Sequence, residues 1–185
     1  AAPEGSGAMS AVLGMDAAVI EDVLNGREGV SIANYNCPGQ IVITGEAAAV
    51  AEAGTALKEA GARRVLPLKV SGPFHSPMMR PAGEELAKVF AGVSMNPLKV
   101  PYVANINAEV ITDCGRIEGL LVEQVSGSVR WHQSVETMLR EGVDTFVEIG
   151  PGKTLTGFLR KIDKNVKAYH IGSWEEAVQV CEELK

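Results

Sequence analysis

An alternation of strand-like and helix-like segments over the first 70 residues constrains the fold more than any other feature of this sequence. The segments occupy, in order, residues 7–14, 17–25, 30–36, 40–46, 47–60 and 63–70. Asp16 is a candidate N-cap for the first helix and Gly26 ends it. A Pro38-Gly39 turn joins the two central strands into a hairpin. The order β-α-β-β-α-β predicts a ferredoxin-like domain.

The pattern changes after Val70. The run SGPFHSPMMRP, residues 71–81, contains three prolines and cannot be regular structure throughout. Further segments then predict helices at 78–91, 117–125 and 133–141, a hairpin-like extension at 100–111, and strand–helix pairs at 144–162 and 167–184. This alternation favours an α/β layer with parallel strands. We expect the boundary between the two parts near residues 70–72.

Charge, hydropathy and cysteine content exclude several classes of protein. The chain has 17 basic and 23 acidic residues, a net charge of −6, which argues against a nucleic-acid partner because no basic excess is present to neutralise phosphates. No apolar stretch approaches the roughly 20 residues that span a bilayer, so we expect no membrane partner. Cys37, Cys114 and Cys181 form no C-x-x-C pair, which favours a reducing, cytoplasmic location.

The run EIGPGKT superficially resembles a phosphate-binding loop. The pattern G-x-x-x-x-G-K-[ST] requires glycine five residues before Gly152, and Val147 stands there. Pro151 also removes a backbone N–H from a loop that would act by presenting N–H groups. The run therefore predicts a tight strand-to-helix turn.

His75 is the candidate functional histidine. It lies in the irregular Gly-Pro-Phe-His-Ser-Pro loop directly after a strand, where functional side chains gather in α/β proteins. The same loop could equally be a domain hinge. We expect His132 and His170, in a helix and a strand, to be structural or solvated.

Several motifs together resemble one enzyme family. They are, in order, GAMSAVLGM, NYNCPGQIVITGE, GARRVLPLKVSGPFHSPMM, SVRWHQSVE and FVEIGPGKTLTGF. In this order and spacing they resemble the bacterial malonyl-CoA:acyl-carrier-protein transacylases of type II fatty-acid synthesis. The resemblance implies a ferredoxin-like small domain, residues 1–71, followed by the C-terminal part of a hydrolase-like α/β domain, residues 72–185.

The resemblance also implies a mechanism. A serine takes the malonyl group from coenzyme A and passes it to the phosphopantetheine thiol of acyl carrier protein. His75 matches the general base, and the backbone carbonyl of Gln124 matches the group that orients it. No cofactor or metal is implied, because the coenzyme A thioester is a substrate.

Substrate and carrier contacts follow from the same comparison. Three amides match the motif that lines the mouth of the malonyl pocket, or are turn-capping groups of the hairpin: Asn34, Asn36 and Gln40. Phe74 resembles a position where a bulky side chain narrows the acyl pocket. Arg63 and Arg64 are candidates for docking the acidic carrier protein, and their alternative is to be solubilising charges at a strand edge.

The sequence lacks the motif that carries the nucleophile of this family. No G-x-S-x-G nucleophile motif occurs in the 185 residues. We therefore expect a missing N-terminal segment of the same enzyme to carry the serine, and the chain alone to be inactive. The alternative hypothesis is a non-catalytic module that docks the carrier protein.

Overall fold

The computed structural model describes residues 5–184 as a mixed α/β protein. The strands are β1 Gly7–Leu13, β2 Val30–Cys37, β3 Gln40–Glu46, β4 Arg64–Pro67, β5 Tyr102–Val103, β6 Val110–Ile111, β7 Thr145–Ile149 and β8 Lys167–Ile171. The helices are α1 Ala17–Leu24, α2 Ala47–Glu59, α3 Arg80–Phe90, α4 Ile117–Ser126, α5 Trp131–Arg140, α6 Thr154–Ile162 and α7 Trp174–Glu183. The segment order predicted for the first 70 residues is the order observed.

Strands β1 to β4 form one antiparallel sheet with the order β2-β3-β1-β4. Alternate residues of a strand point to opposite faces, so Ile41 and Ile43 enter the core formed with α1 and α2. Val42 between them joins a smaller apolar cluster that also contains Met9 and Ala33. Both faces of the central strands are therefore buried.

Two local predictions differ from the structure. Asp16 is the residue before α1, but its side chain makes no capping hydrogen bond. Strand β4 has four residues rather than the predicted eight, because the chain turns soon after Pro67. The Leu68 N–H still donates to the Met9 carbonyl (2.9 Å), and the Val70 N–H then folds back onto the Leu68 carbonyl (3.1 Å).

Helices α3 and α4 pack closely through a buried glycine. A Cβ atom placed on Gly83 of α3 would lie 3.1 Å from the Val122 carbonyl oxygen of α4. This distance is shorter than ordinary van der Waals contact, so the two backbones approach as near as they do because the residue has no side chain. The approach places the start of α3 beside the last turns of α4.

The described residues from Val135 onward form a second compact unit, separate by contacts from those up to Ser134. In this second unit β7 and β8 pair in parallel from Thr145↔Lys167 to Ile149↔Ile171, as the strand–helix alternation predicted. Contacts and family domains are different criteria, and the boundary between residues 71 and 72 stays a prediction. Within residues 5–184 no helix combines the length and apolarity needed to cross a bilayer.

Candidate functional site

The loop that carries His75 is anchored at both ends. Pro73 is fully buried, and it packs so closely on Gly7 of β1 that a Cβ there would overlap its ring. The buried Ser76 hydroxyl donates to the Pro73 carbonyl oxygen (2.7 Å), which closes a tight turn around residue 75. The loop is thus held by packing and by an internal hydrogen bond, although it has no regular structure.

His75 has a backbone conformation that residues other than glycine rarely adopt. Its φ is +59°, in the left-handed region. Such a residue costs about 1–3 kcal/mol and persists only where its surroundings impose the conformation. The anchored loop imposes it here, and strain of this kind is concentrated at functional sites. The imidazole is half-buried.

The imidazole is oriented by a helix in the same unit. His75 Nδ1 lies 3.0 Å from the Gln124 carbonyl oxygen. A carbonyl oxygen only accepts, so Nδ1 carries the proton of the neutral ring and Nε2 is left with an unshared electron pair. This is the tautomer that a base acting through Nε2 requires.

The Gln124 carbonyl belongs to the last turn of α4, where carbonyl groups lack partners within the helix. The carboxyl end of a helix also carries partial negative charge. An imidazole that gains a proton during a reaction is therefore matched by its acceptor, without an aspartate side chain.

Asn34 lies beside the segment that follows α4. The Val129 N–H donates to the Ala33 carbonyl (2.7 Å), and the Val129 carbonyl accepts from the Tyr35 N–H (2.9 Å). These two bonds form a parallel bridge on the outer edge of β2, centred on Asn34. The structure thereby connects Asn34, through four residues of chain, to the carbonyl that orients His75.

The other predicted pocket residues are not joined to the histidine. Asn36 is half-buried at an irregularity of β2, and Gln40 is half-buried at the start of β3. Phe74 precedes His75 and is 41% exposed. No hydrogen bond described for residues 5–184 connects these three side chains with the imidazole. Their role at the acyl pocket stays a prediction.

The two candidate docking arginines lie on the opposite side of the sheet. Arg63 precedes β4 and Arg64 begins it, and both are exposed. Strands β2 and β4 are the two edges of the sheet, so these arginines are separated from Asn34 by its full width.

In the second unit, Glu148 occupies the donors that a phosphate would need. Its carboxylate accepts the Thr156 N–H (2.7 Å), the Thr156 hydroxyl (2.6 Å) and the Leu155 N–H (3.0 Å) at the start of α6. Desolvation opposes ionisation, but these hydrogen bonds outweigh it and lower the pKa of Glu148. Gly150 and Gly152 both have positive φ, as the predicted strand-to-helix turn requires.

His170 stabilises the same turn. Its Nε2 lies 2.9 Å from the Gly150 carbonyl oxygen, and its Nδ1 lies 3.5 Å from a carboxylate oxygen of Glu176. These contacts fit the expected structural role. The part of the chain that the structure describes has no group of three or more His, Cys, Asp or Glu side chains able to hold a metal ion.

Comparison with known proteins then identifies the family. The model of the acyl transferase domain matches residues 1–180. The chain belongs to the acyl transferase domain family. Malonyl CoA-acyl carrier protein transacylases are similar along most of the chain. The Bacillus subtilis protein is 43% identical over 100% of this chain and 60% of its own length, and the Escherichia coli K12 protein is 45% identical over 88% and 53%.

Solved structures of this acyl transferase family agree with the fold. An acyl-carrier-protein S-malonyltransferase from Burkholderia pseudomallei is 38% identical with a TM-score of 0.93, over 98% of this chain and 60% of that one. A malonyl-transacylase in complex with a type II PKS acyl-carrier protein matches with a TM-score of 0.91, 38% identity and the same coverage. The chain thus spans 53–60% of the length of these four relatives.

Sequence reasoning missed three residues around the histidine of this acyl transferase domain. Ser76 closes the turn, and Gly127 and Ser128 form the exit of α4. A glycine after a helical segment was a visible signal for the end of α4. The Ser128 contact was not predictable by pattern, because its partner is 96 residues away.

Proposed function

We propose that this chain is the histidine-bearing part of a malonyl-CoA:acyl-carrier-protein transacylase of fatty-acid synthesis. The observation that carries the proposal is the bond from His75 Nδ1 to the Gln124 carbonyl oxygen (3.0 Å), in a chain of the acyl transferase domain family. The bond gives His75 the tautomer of a general base. The names of the relatives supply the substrates, malonyl-CoA and acyl carrier protein.

The reaction has two balanced half-steps. In the first, His75 Nε2 takes the proton of a serine hydroxyl while the oxygen attacks the malonyl thioester carbon. The carbon–sulfur bond breaks, and the imidazolium returns the proton to the coenzyme A thiolate. In the second, His75 takes the proton of the phosphopantetheine thiol while its sulfur attacks the carbonyl carbon of the serine ester. The ester carbon–oxygen bond breaks, and the imidazolium returns the proton to the serine oxygen. Neither step uses a cofactor or a metal.

The serine is placed outside these 185 residues, because the sequence contains no G-x-S-x-G. The N-terminal segment of the same enzyme would supply it. The coverage of 53–60% of the relatives leaves room for such a segment. The proposal therefore includes the expectation that the 185-residue chain alone forms no malonyl ester.

The domain assignment belongs to the same proposal. The order β2-β3-β1-β4 and the two helices on one face of the sheet support a ferredoxin-like small domain at 1–71. The parallel pair β7–β8, with α6 between its strands, supports a hydrolase-like α/β part within 72–185. Cys37, Cys114 and Cys181, all within the described residues, form no disulfide, which supports a cytoplasmic location.

Four side chains are proposed to contact the substrate: Asn34, Asn36, Gln40 and Phe74. The backbone bridge centred on Asn34 supports its placement near the base. Asn36 and Gln40 belong to the same hairpin, and Phe74 is the neighbour of His75. An exposed aromatic ring beside the base is suited to narrowing an acyl pocket.

Arg63 and Arg64 are proposed to dock the carrier protein. Both are exposed, and Val65 faces the core of the sheet, so Arg64 and Leu66 share the opposite face. A positive charge next to a partly exposed leucine fits an acidic partner with an apolar contact surface. A relative has been solved in complex with an acyl-carrier protein, which agrees with a carrier as partner.

Replacing the base tests the proposed function. The chain is joined to the segment of the B. subtilis relative that its match leaves uncovered, where the serine nucleophile is expected, and transfer from malonyl-CoA to carrier protein is measured. His75→Gln should lower turnover by roughly two to four orders of magnitude. His170→Gln is the matched control, because that histidine bonds to a turn in the other unit, and its turnover should remain within about twofold.

Equal rates for the two variants would remove His75 from the mechanism. The alternative is a non-catalytic docking module. It predicts that the joined protein binds carrier protein as well as the relative does. It also predicts that the joined protein transfers no malonyl group, whether or not His75 or His170 is substituted.

A further inference from the structure

The end of α4 departs from the usual way in which helices terminate. Many helices are followed by a residue of positive φ. Its own N–H, and often that of the next residue, then folds back onto carbonyls of the last turn. In the simpler form of this cap, the N–H of the second residue after the helix binds the carbonyl of the third residue from its end. In α4, which ends at Ser126, that carbonyl belongs to Gln124.

Gly127 instead leaves the helix in an extended conformation, with φ −108° and ψ 160°. The chain therefore moves away from the helix axis, and the carbonyl of Gln124 accepts from His75. A helix end that closed in the usual way would bring the Ser128 N–H to this carbonyl in competition with the imidazole. The extended exit is what leaves the acceptor open to the histidine.

Two side chains hold the exit in this conformation. The Gln124 amide Nε2 donates to the carbonyl oxygens of Gly127 (2.9 Å) and Ser128 (3.4 Å). The Ser128 hydroxyl donates to the Ile32 carbonyl oxygen on the outer edge of β2 (2.6 Å). One side chain bonds the exit from the helix side, and the other bonds it to the sheet.

The exit is also crowded around Gly127. A Cβ on Gly127 would overlap the Ile106 side chain and lie 3.0 Å from the Glu123 carbonyl oxygen. This crowding favours glycine at position 127. The backbone angle does not, because its φ is negative and accessible to any residue. The local sequence thus provides a thin residue at the turn and hydrogen-bonding side chains on either side of it.

We propose that the Gln124 side chain and the Ser128 hydroxyl are positioning residues for the base. By holding the α4 exit extended they keep the Gln124 carbonyl available to His75, which fixes the Nδ1–H tautomer. The proposal rests on the proposed function only for its kinetic consequence. The tautomer itself is a property of this chain and is measured without any substrate.

Nuclear magnetic resonance of the ¹⁵N-labelled 185-residue chain tests the tautomer directly. The chain has three histidines, and His75→Gln assigns the signals of the one that matters. In the unsubstituted chain, the shifts of the neutral His75 ring should show the proton on Nδ1. Gln124→Leu and Ser128→Ala should each shift the ring towards a mixture of the two tautomers, whereas Ser128→Thr, which keeps the hydroxyl, should restore it.

Matched controls separate positioning from general loss of stability. Ser134→Ala removes an equivalent hydrogen bond from a hydroxyl to a backbone carbonyl (2.8 Å). Gln179→Leu removes a hydrogen bond from a side-chain amide to the Glu183 carboxylate (3.0 Å). Neither bond is made to the exit of α4. Both controls should leave the His75 tautomer unchanged, even where they lower the free energy of unfolding as much as the test variants do.

Kinetics of the joined protein provide the second measurement. Gln124→Leu and Ser128→Ala should lower kcat by roughly 10–100-fold, the effect of a misplaced catalytic group, with KM for malonyl-CoA within about twofold. An unchanged tautomer in both variants overturns the proposal, whatever the rate. If the joined protein transfers no malonyl group at all, the proposed function fails, while the tautomer still decides the positioning role.

Discussion

Two glycine-to-alanine substitutions distinguish helix propensity from helix packing. Gly83 lies inside α3, where its absent Cβ would be 3.1 Å from the Val122 carbonyl oxygen of α4. Gly119 lies inside α4 with open space around it, and it is exposed. The substitution is chemically the same in both helices, so any difference in stability reports the contact between α3 and α4.

The magnitudes follow from the two environments. Alanine is favoured over glycine in a helix by about 0.5–1 kcal/mol, so Gly119→Ala should raise the free energy of unfolding by about that amount. Gly83→Ala gains the same propensity but forces two backbones apart, at a cost of about 1–3 kcal/mol for an overpacked contact. The two variants should therefore differ by about 1–3 kcal/mol, with Gly83→Ala the less stable.

Urea denaturation of the 185-residue chain, followed by circular dichroism, measures both free energies. Because α3 follows the His75 loop and α4 carries Gln124, Gly83→Ala should also perturb the His75 imidazole signals, and Gly119→Ala should not. Equal stabilisation by the two substitutions would refute the close packing of α3 on α4. A loss of stability without any change at His75 would show that this packing does not position the base.

Three further predictions concern ionisable groups. Burial and a hydrogen bond to Glu21 raise the pKa of Tyr35 to about 12. The free energy of unfolding should therefore hold below pH 10 and decline as the pH rises towards 12. Tyr35→Phe should weaken that decline, as measured by urea midpoints at pH 9 and 11. The lowered pKa of Glu148 stabilises the fold above pH 4.5, and this stabilisation is lost as the pH falls below that value. Glu148→Gln should therefore flatten the acid limb of a plot of stability against pH. A steeper acid limb would contradict the assignment. In the joined protein, replacing Arg63 and Arg64 with glutamate should raise KM for carrier protein but not for malonyl-CoA, less so at high salt, whereas equal effects on both substrates would indicate misfolding.

Local patterns predicted the elements better than their ends. The order of strands and helices in the first 70 residues followed from alternation, glycine and proline, which act within a few residues. Strand β4 ended early because the turn after Pro67 depends on how the chain continues into the His75 loop. The predicted domain boundary between residues 71 and 72 came from the change of sequence pattern after Val70. The two compact units of the structure are defined by contacts and do not test that boundary.

The site depended on contacts that no local pattern contains. The bond between His75 and Gln124 joins residues 49 apart and was expected only through the family resemblance. The positive φ of His75 is imposed by Pro73 and Ser76, whose roles appear only when the turn has closed. Pairing of Val129 with β2 likewise requires the folded sheet, so the exit of α4 was not predictable from its own residues.

The outer edge of β4 determines how the sheet can meet other chains. Because the Leu68 N–H points towards β1, the nitrogen of Pro67 points away from the sheet, and proline has no hydrogen to offer there. The strand has four residues and begins with an exposed arginine. An incoming strand would find an interrupted ladder and a charge, the features by which natural sheets resist edge-to-edge aggregation. Leu66 and Leu68, 42% and 38% exposed, can therefore stay accessible to a partner without recruiting another copy of the sheet.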